Sequence, residues 1–123
     1  MPETKPPERR VALITGCGKE NGIGAATARR LAADGIIVVA SDIAAAGVDN
    51  DNAVGREPSR WQGLDSLAQR IEDAGGEAST LVGSVAQEAD AERLVAQTLE
   101  RYGRLDILVN NAGIFIPIKE PED

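Results

Sequence analysis

Short apolar runs alternate with segments of helical periodicity along most of the chain. Four runs rich in Val, Ile and Leu predict strands buried on both faces; they span residues 11–15, 36–40, 79–82 and 105–109. Between successive runs the apolar residues recur at helical spacing; the predicted helices span residues 22–34, 64–74 and 91–102. The order β-α-β-α-β-α-β predicts a parallel sheet with right-handed crossovers.

Two local features refine this pattern. Ile23, Thr27 and Leu31 fall on one face of the first predicted helix, and we expect that face to be buried. Residues 44–63 have no sustained period and contain several Gly, Asn and Pro residues, so they predict a long loop. A loop of this length is either a lid near a ligand or a neutral insertion.

Composition narrows the functional classes. The 123 residues are 42% hydrophobic, which favours one folded domain over residues 11–123, after a disordered or extended lead-in of residues 1–10. A net charge of −7 without histidine argues against a nucleic-acid partner. No apolar run approaches the roughly 20 residues of a membrane span, and the lone Cys17 allows no intrachain disulfide. We therefore expect a cytoplasmic protein that binds neither nucleic acid nor membrane.

A glycine-rich segment joins the first predicted strand to the first predicted helix: Thr15-Gly-Cys-Gly-Lys-Glu-Asn-Gly-Ile-Gly24. Gly16 permits a tight turn directly after the strand. Gly22 and Gly24 would let backbone amides at the helix N-terminus approach a pyrophosphate. Glycines also serve ordinary turns, but a position between a strand and a helix of a βαβ unit is the one that dinucleotide binding requires.

Asp42 lies at the end of the second predicted strand. A carboxylate there can accept hydrogen bonds from the adenosine ribose hydroxyls and would repel a 2′-phosphate. The alternative is an ordinary turn or capping residue. The position favours NAD over NADP, although Lys19, Arg29 or Arg30 would weaken that preference if one of them reached the ribose.

The segment Asn110-Asn-Ala-Gly113 follows the fourth predicted strand. In a doubly wound sheet the first and fourth strands are neighbours, and the crevice between them is where a dinucleotide binds. Small residues there would let the cofactor lie close to the backbone, and Asn side chains can join the carbonyls of diverging loops. The pairs Asn-Asn and Ala-Gly are also common in polar turns.

Together these segments resemble the short-chain dehydrogenase/reductase family, whose signature is Thr-Gly, three residues and Gly-x-Gly, followed later by Asn-Asn-Ala-Gly. The similarity extends from about residue 11 to residue 114. It implies an α/β fold: a partial Rossmann-type, doubly wound parallel sheet of four strands in the order 3-2-1-4, with three helices. It also implies a nicotinamide cofactor, for which Asp42 favours NAD over NADP.

The chain departs from the family pattern at two places. The glycine-rich loop holds five residues, Cys17 to Asn21, where the family has three, and Ser84-Val85 stands where the family often has Asp-Val to hold adenine. The candidate cofactor-binding residues are Thr15, Gly16, Asn21, Gly22, Ile23, Gly24, Asp42, Ser84, Val85, Asn110, Asn111, Ala112 and Gly113.

The resemblance assigns no catalytic residue to this chain. The family's Ser and Tyr-x-x-x-Lys follow the fourth strand, whereas the only tyrosine, Tyr102, is followed four places later by Asp106 and is predicted to pack in the core. The chain is therefore interpreted as the N-terminal, cofactor-binding portion of an oxidoreductase, truncated before the catalytic half. A small-molecule substrate would require that half to be supplied.

Two other functions stay open from the residues alone. One is a non-catalytic nucleotide-binding or interaction module. The other is an S-adenosylmethionine-binding domain, against which Thr15-Gly16 and the segment from Asn110 count. A nucleoside triphosphatase fits worse, because Gly18-Lys19 is followed by glutamate and not by Ser or Thr.

The predicted strand order also leaves the fourth strand at an open edge of the sheet. Unpaired N–H and C=O groups there are a template for another chain. We expect self-association through this edge; the alternative is a marginally stable, partly molten chain.

Overall fold

Four short parallel strands form a single sheet in the computed structural model, which describes residues 8–45 and 61–112. The strands are β1 (Val11–Ile14), β2 (Ile37–Asp42), β3 (Ala78–Val82) and β4 (Ile107–Val109). Their order in the sheet is β3-β2-β1-β4, and every neighbouring pair is parallel. The predicted fold class and strand order are therefore confirmed.

Three helices connect the strands: α1 (Ile23–Ala33), α2 (Leu64–Asp73) and α3 (Glu88–Tyr102). Alternate residues of β1 face opposite sides of the sheet, as the pleat requires. Ala12 and Ile14 lie in one buried cluster with side chains of α1 and α2. Val11 and Leu13 lie in a second cluster with Leu94 of α3. The helices thus cover both faces, which explains why β1 and most of β2 are apolar on both sides.

The predicted buried face of α1 is wrong in part. Ile23 is 74% exposed, whereas Ala25, Ala28 and Ala32 are buried against the sheet, and only Leu31 of the predicted set packs partly against that cluster. Small side chains occupy the buried face because the helix begins in close contact with the glycine-rich loop. Ile23 is left at the edge of the sheet, at the start of the helix.

Other differences concern element ends. β2 continues to Asp42, two residues beyond the predicted end, because Ser41 and Asp42 pair with Leu81 and Val82 of β3. α3 begins at Glu88 and not at residue 91. Residues 46–60 of the predicted long loop and residues 1–7 of the predicted lead-in lie outside the described residues.

Tyr102 packs in the core, as predicted. Its ring lies against the cluster that contains Val11 and Leu94, and its hydroxyl donates a hydrogen bond of 3.0 Å to Oγ of Ser79. This contact joins the end of α3 to β3. It accounts for the tyrosine without any catalytic role.

Asp106 joins the start of β4 to the start of β1. Its Oδ2 accepts hydrogen bonds from Nε of Arg104 at 2.8 Å and from the backbone N–H of Val11 at 2.9 Å. The hydrogen bonds from Arg104, followed by that from Val11, lower the pKa of Asp106 to about 2. The carboxylate therefore stabilises the folded state in its charged form.

We expect this contribution to be complete above the ordinary aspartate pKa and to be lost as the pH falls from about 4 to about 2, because a lowered folded-state pKa favours the ionised form. Thermal melts of the chain and of Asp106→Asn test this. The melting temperatures should differ most at neutral pH and converge as the pH approaches the lowered pKa. A difference independent of pH would contradict the assignment.

Candidate functional site

The predicted site residues within the described ranges lie at the carboxyl ends of the parallel strands. Thr15 and Gly16 follow β1, Asp42 ends β2, Ser84 follows β3, and Asn110 follows β4. Because the strands are parallel and neighbouring, these ends meet at one edge of the sheet, where open α/β sheets bind ligands. Gly113 lies outside the described residues.

Thr15 joins the ends of β1 and β4. Its Oγ1 accepts hydrogen bonds from the backbone N–H groups of Asn111 at 3.1 Å and Ala112 at 2.9 Å. Its own N–H donates to the carbonyl of Val109 at 3.1 Å. Thr15 is buried. Its hydroxyl holds the backbone of the Asn-Asn-Ala segment, so its role in the site is structural.

Asn111 joins the same segment to the glycine-rich loop. Its Nδ2 donates to the carbonyl of Gly16 at 3.2 Å. The prediction that an Asn side chain ties a diverging loop is thus met by Asn111, whereas Asn110 and Ala112 are exposed at the edge.

Two of the three signature glycines are required by the fold itself. Gly16 has φ +70°, and a Cβ there would lie 2.9 Å from Cα of Ala112. At Gly24, a buried position, a Cβ would lie 2.5 Å from the carbonyl oxygen of Gly16 and 2.8 Å from Nδ2 of Asn111. Glycine at these positions lets α1, the loop and the Asn segment touch.

Gly22 differs from these two. It precedes α1 with φ −81° and ψ 160°, a conformation open to any residue, and a Cβ would approach only Lys19, at 3.3 Å or more. The fold alone does not require glycine here. Its absence of a side chain instead leaves the N-terminus of α1 open to an outside group.

The first turn of α1 is suited to an anion. It contains no acidic residue, and no side chain caps it. The first N–H groups of a helix have no partner within the helix and carry the positive end of its dipole. Asn21 lies in the exposed turn just before this end, and Ile23, the first helical residue, is exposed beside it.

Asp42 is half-buried, and backbone groups fix both of its carboxylate oxygens. Oδ2 accepts from the N–H of Gly18 at 2.6 Å, and Oδ1 accepts from the N–H of Ile43 at 2.7 Å. Each carboxylate oxygen accepts more than one hydrogen bond, so ribose hydroxyls can still be bound. The sequence did not reveal the bond to Gly18, because nothing in the spacing indicates how the longer loop folds back on β2.

Exposed apolar side chains surround the ends of β2 and β3. Val85 was predicted as a site residue and is 45% exposed; Ile43 and Val82 were not predicted and are 56% and 42% exposed. Single exposed apolar side chains are common, but a group of them at one place marks a ligand-binding or interaction surface. The signal in the sequence that could have identified Ile43 as a site residue is its position directly after Asp42.

Ser84 is held inside its own turn. Its N–H donates to Oδ2 of Asp90 at 2.9 Å, and its Oγ accepts from the N–H of Ala86 at 3.3 Å. Arg93 fastens the same turn by donating to the carbonyl of Val82 at 2.6 Å. The turn after β3 is thus fixed from α3, with Val85 directed away from the core.

Cys17 is not suited to nucleophilic chemistry. It is fully buried, its Sγ lies 3.3 Å from the carbonyl of Ile14, and burial raises the pKa of the thiol to about 12. Within residues 8–45 and 61–112, no group of three or more His, Cys, Asp or Glu side chains is placed to hold a metal ion.

The short chain dehydrogenase family matches residues 10–123. The chain belongs to this family. An oxidoreductase of Methylorubrum extorquens is 37% identical over 108 residues, which cover 88% of this chain and 37% of the relative. A 3-oxoacyl-[acyl-carrier-protein] reductase of Thermotoga maritima is 35% identical over 107 residues, 87% of this chain and 36% of the relative.

A solved short-chain oxidoreductase of metagenomic origin, in complex with NADP, superposes with a TM-score of 0.68 at 30% identity, covering 85% of this chain and 39% of that one. This short-chain dehydrogenase sequence therefore spans somewhat more than a third of the length of its relatives. These matches give no support to an S-adenosylmethionine-binding domain. In the part of the chain that the structure describes, no helix has the length and apolar character needed to cross a bilayer.

Proposed function

We propose that residues 11–123 form the cofactor-binding half-domain of an NAD-dependent oxidoreductase. One observation carries the proposal. The N-terminus of α1, which has no acidic residue in its first turn, lies at the same edge of the sheet as Gly22, whose position is open, and Asp42, whose carboxylate is held by the loop. Membership of the short-chain dehydrogenase family and the NADP bound to one solved relative support a nicotinamide dinucleotide as the ligand.

The residues present fit such a cofactor. The amides at the start of α1, beside Gly22 and Ile23, would bind the pyrophosphate. Asp42 would accept hydrogen bonds from the ribose hydroxyls. The exposed side chains of Ile43, Val82 and Val85 would contact the adenine. Asn110 and Ala112 would lie along the remainder of the dinucleotide, with Thr15, Gly16, Gly24 and Asn111 holding this segment against the glycine-rich loop. Gly113 stays a candidate cofactor contact from the sequence. The cofactor supplies hydride exchange with an alcohol or carbonyl.

Calorimetric titration tests the proposal. We expect NAD and ADP-ribose to bind, because both carry the pyrophosphate and the adenosine ribose. S-adenosylmethionine, which lacks the pyrophosphate, should not. Binding of S-adenosylmethionine alone, or of no nucleotide, would contradict the proposal and leave an interaction module.

Residues 1–123 alone are expected to show no oxidoreductase turnover. They contain no Tyr-x-x-x-Lys and no histidine, so no side chain of these types is available to relay the proton that accompanies hydride transfer. NADH formation measured against a panel of alcohols checks this. Turnover that stays with the chain through purification would contradict it.

We also propose that the chain self-associates through β4. No described strand pairs with the outer side of β4, and Leu108 on this strand is 51% exposed. Light scattering after size-exclusion chromatography should show a mass above one chain, and Leu108→Lys should reduce it, since a lysine on an edge strand opposes pairing. A well-folded monomer across micromolar concentrations would contradict the proposal.

A further inference from the structure

Trp61, three residues before α2, is hydrogen-bonded to the glycine-rich loop. Its indole Nε1 donates to the carbonyl of Gly18 at 2.7 Å. The guanidinium of Arg70, on α2, lies 4.8 Å from the centre of the indole ring and reaches Glu20 of the loop at 3.5 Å. Two side chains near α2 thus contact the loop at two points.

Both polar groups of Gly18 are held by side chains from outside the loop. Its carbonyl accepts from Trp61, and its N–H donates to Oδ2 of Asp42 at 2.6 Å. The residue is itself buried. The N–H and the C=O of Gly18 belong to two successive peptide groups that share its Cα, so the two hydrogen bonds together restrict both backbone torsions of Gly18.

A tryptophan suits this role. Its N–H is a donor only, it has no acceptor that would compete for the loop amides, and its side chain has few rotamers to restrict. The ring packs partly against the buried cluster of α1 and α2, which fixes its direction. The loop from Cys17 to Asn21 is two residues longer than the family pattern, and this additional backbone needs support.

We propose that Trp61 is a positioning residue that acts through Gly18 on Asp42. By holding the Gly18 carbonyl, it restricts the backbone torsions at Gly18 and so keeps the Gly18 N–H directed at Asp42, with the remaining lone pairs of the carboxylate facing the ribose. This role rests on the proposed nucleotide-binding function. It assigns to the segment just before α2 a part in discriminating a ribose hydroxyl from a 2′-phosphate.

The first test needs no nucleotide. Trp61→Phe keeps an aromatic ring under Arg70 and removes the donor together with part of the indole. We expect the Gly18 amide in the full chain to exchange with deuterium at least about tenfold faster in this variant, because the peptide gains a local opening. Gln69→Ala, on the exposed side of α2, is the matched control and should leave the exchange rate unchanged. Arg70→Met, which retains the indole donor, should produce a smaller increase.

The second test measures NAD and NADP affinity in a double-mutant cycle with Asp42→Asn. Trp61→Phe should weaken NAD about five- to tenfold, the effect of one lost hydrogen bond, and should lower the NAD-to-NADP affinity ratio. In the Asp42→Asn background it should not change that ratio further. Independent effects of the two substitutions would show a merely structural role for Trp61 and overturn the proposal.

The two failures are distinguishable. Absence of nucleotide binding to the unsubstituted chain overturns the proposed function and the discrimination role together. Normal NAD binding with an unchanged Gly18 exchange rate in Trp61→Phe overturns the role of Trp61 alone.

Discussion

Gly24→Ala is expected to lower both the stability of the chain and its affinity for a dinucleotide. The new Cβ would lie 2.5 Å from the carbonyl oxygen of Gly16 and 2.8 Å from Nδ2 of Asn111, so backbone must move. Overpacking of this kind costs about 1–3 kcal/mol, which corresponds to a fall in melting temperature on the order of 5–20 °C in a domain of this size. The gain in helix propensity on replacing glycine, about 1 kcal/mol, offsets part of this cost, so the expected net fall lies in the lower half of that range.

Gly22→Ala is the matched substitution for this prediction. The same methyl group two residues earlier meets only Lys19, at 3.3 Å or more, in a backbone conformation that alanine adopts readily. We expect its melting temperature to stay close to that of the unsubstituted chain, while nucleotide affinity falls because the methyl group occupies the approach to the helix N-terminus. Equal melting temperatures for the two variants would contradict the assigned contacts of Gly24.

The fold was predictable because each strand carries its own signal. A run such as Val11–Ile14 is apolar at every position, and in a parallel sheet covered on both faces such a run has one favourable location. The signature residues were predictable for a related reason. Gly16 and Gly24 approach each other through backbone atoms, and Nδ2 of Asn111 donates to the carbonyl of Gly16, so their residue types are constrained by the fold and appear at fixed places in the sequence.

The contacts that Trp61 and Asp42 make with the glycine-rich loop could not be predicted. The bond from Trp61 to Gly18 joins residues 43 positions apart and depends on how a longer loop folds. The exposure of Ile23 was also missed, because periodicity places it with Leu31 and cannot show that the close approach at Gly24 turns the alanine face inward. Periodicity identifies a helix well and its buried face less well when the neighbouring contact is made by glycine.

The second large effect concerns Asp42 and the choice of cofactor. We expect NAD to bind at least about 100-fold more tightly than NADP, since a 2′-phosphate beside a carboxylate adds like-charge repulsion of several kcal/mol. The carboxylate cannot easily turn away, because Gly18 and Ile43 hold both of its oxygens. Of the cations that would weaken this preference, Arg30 pairs with Asp34 at 3.5 Å on the exposed side of α1.

Asp42→Asn is the sharper test than alanine at this position. Asparagine keeps an oxygen that accepts the Gly18 N–H, so the loop keeps its support while the charge is removed. Calorimetric titration with both cofactors should show NAD weakened roughly tenfold, as for the loss of a charge-assisted hydrogen bond, and NADP strengthened, so that the two affinities become similar. Asp42→Ala should narrow the difference as well, with a further loss of affinity for both cofactors because the Gly18 N–H loses its acceptor. An unchanged ratio in Asp42→Asn, or NADP binding more tightly to the unsubstituted chain, would remove Asp42 as the determinant and direct attention to Lys19.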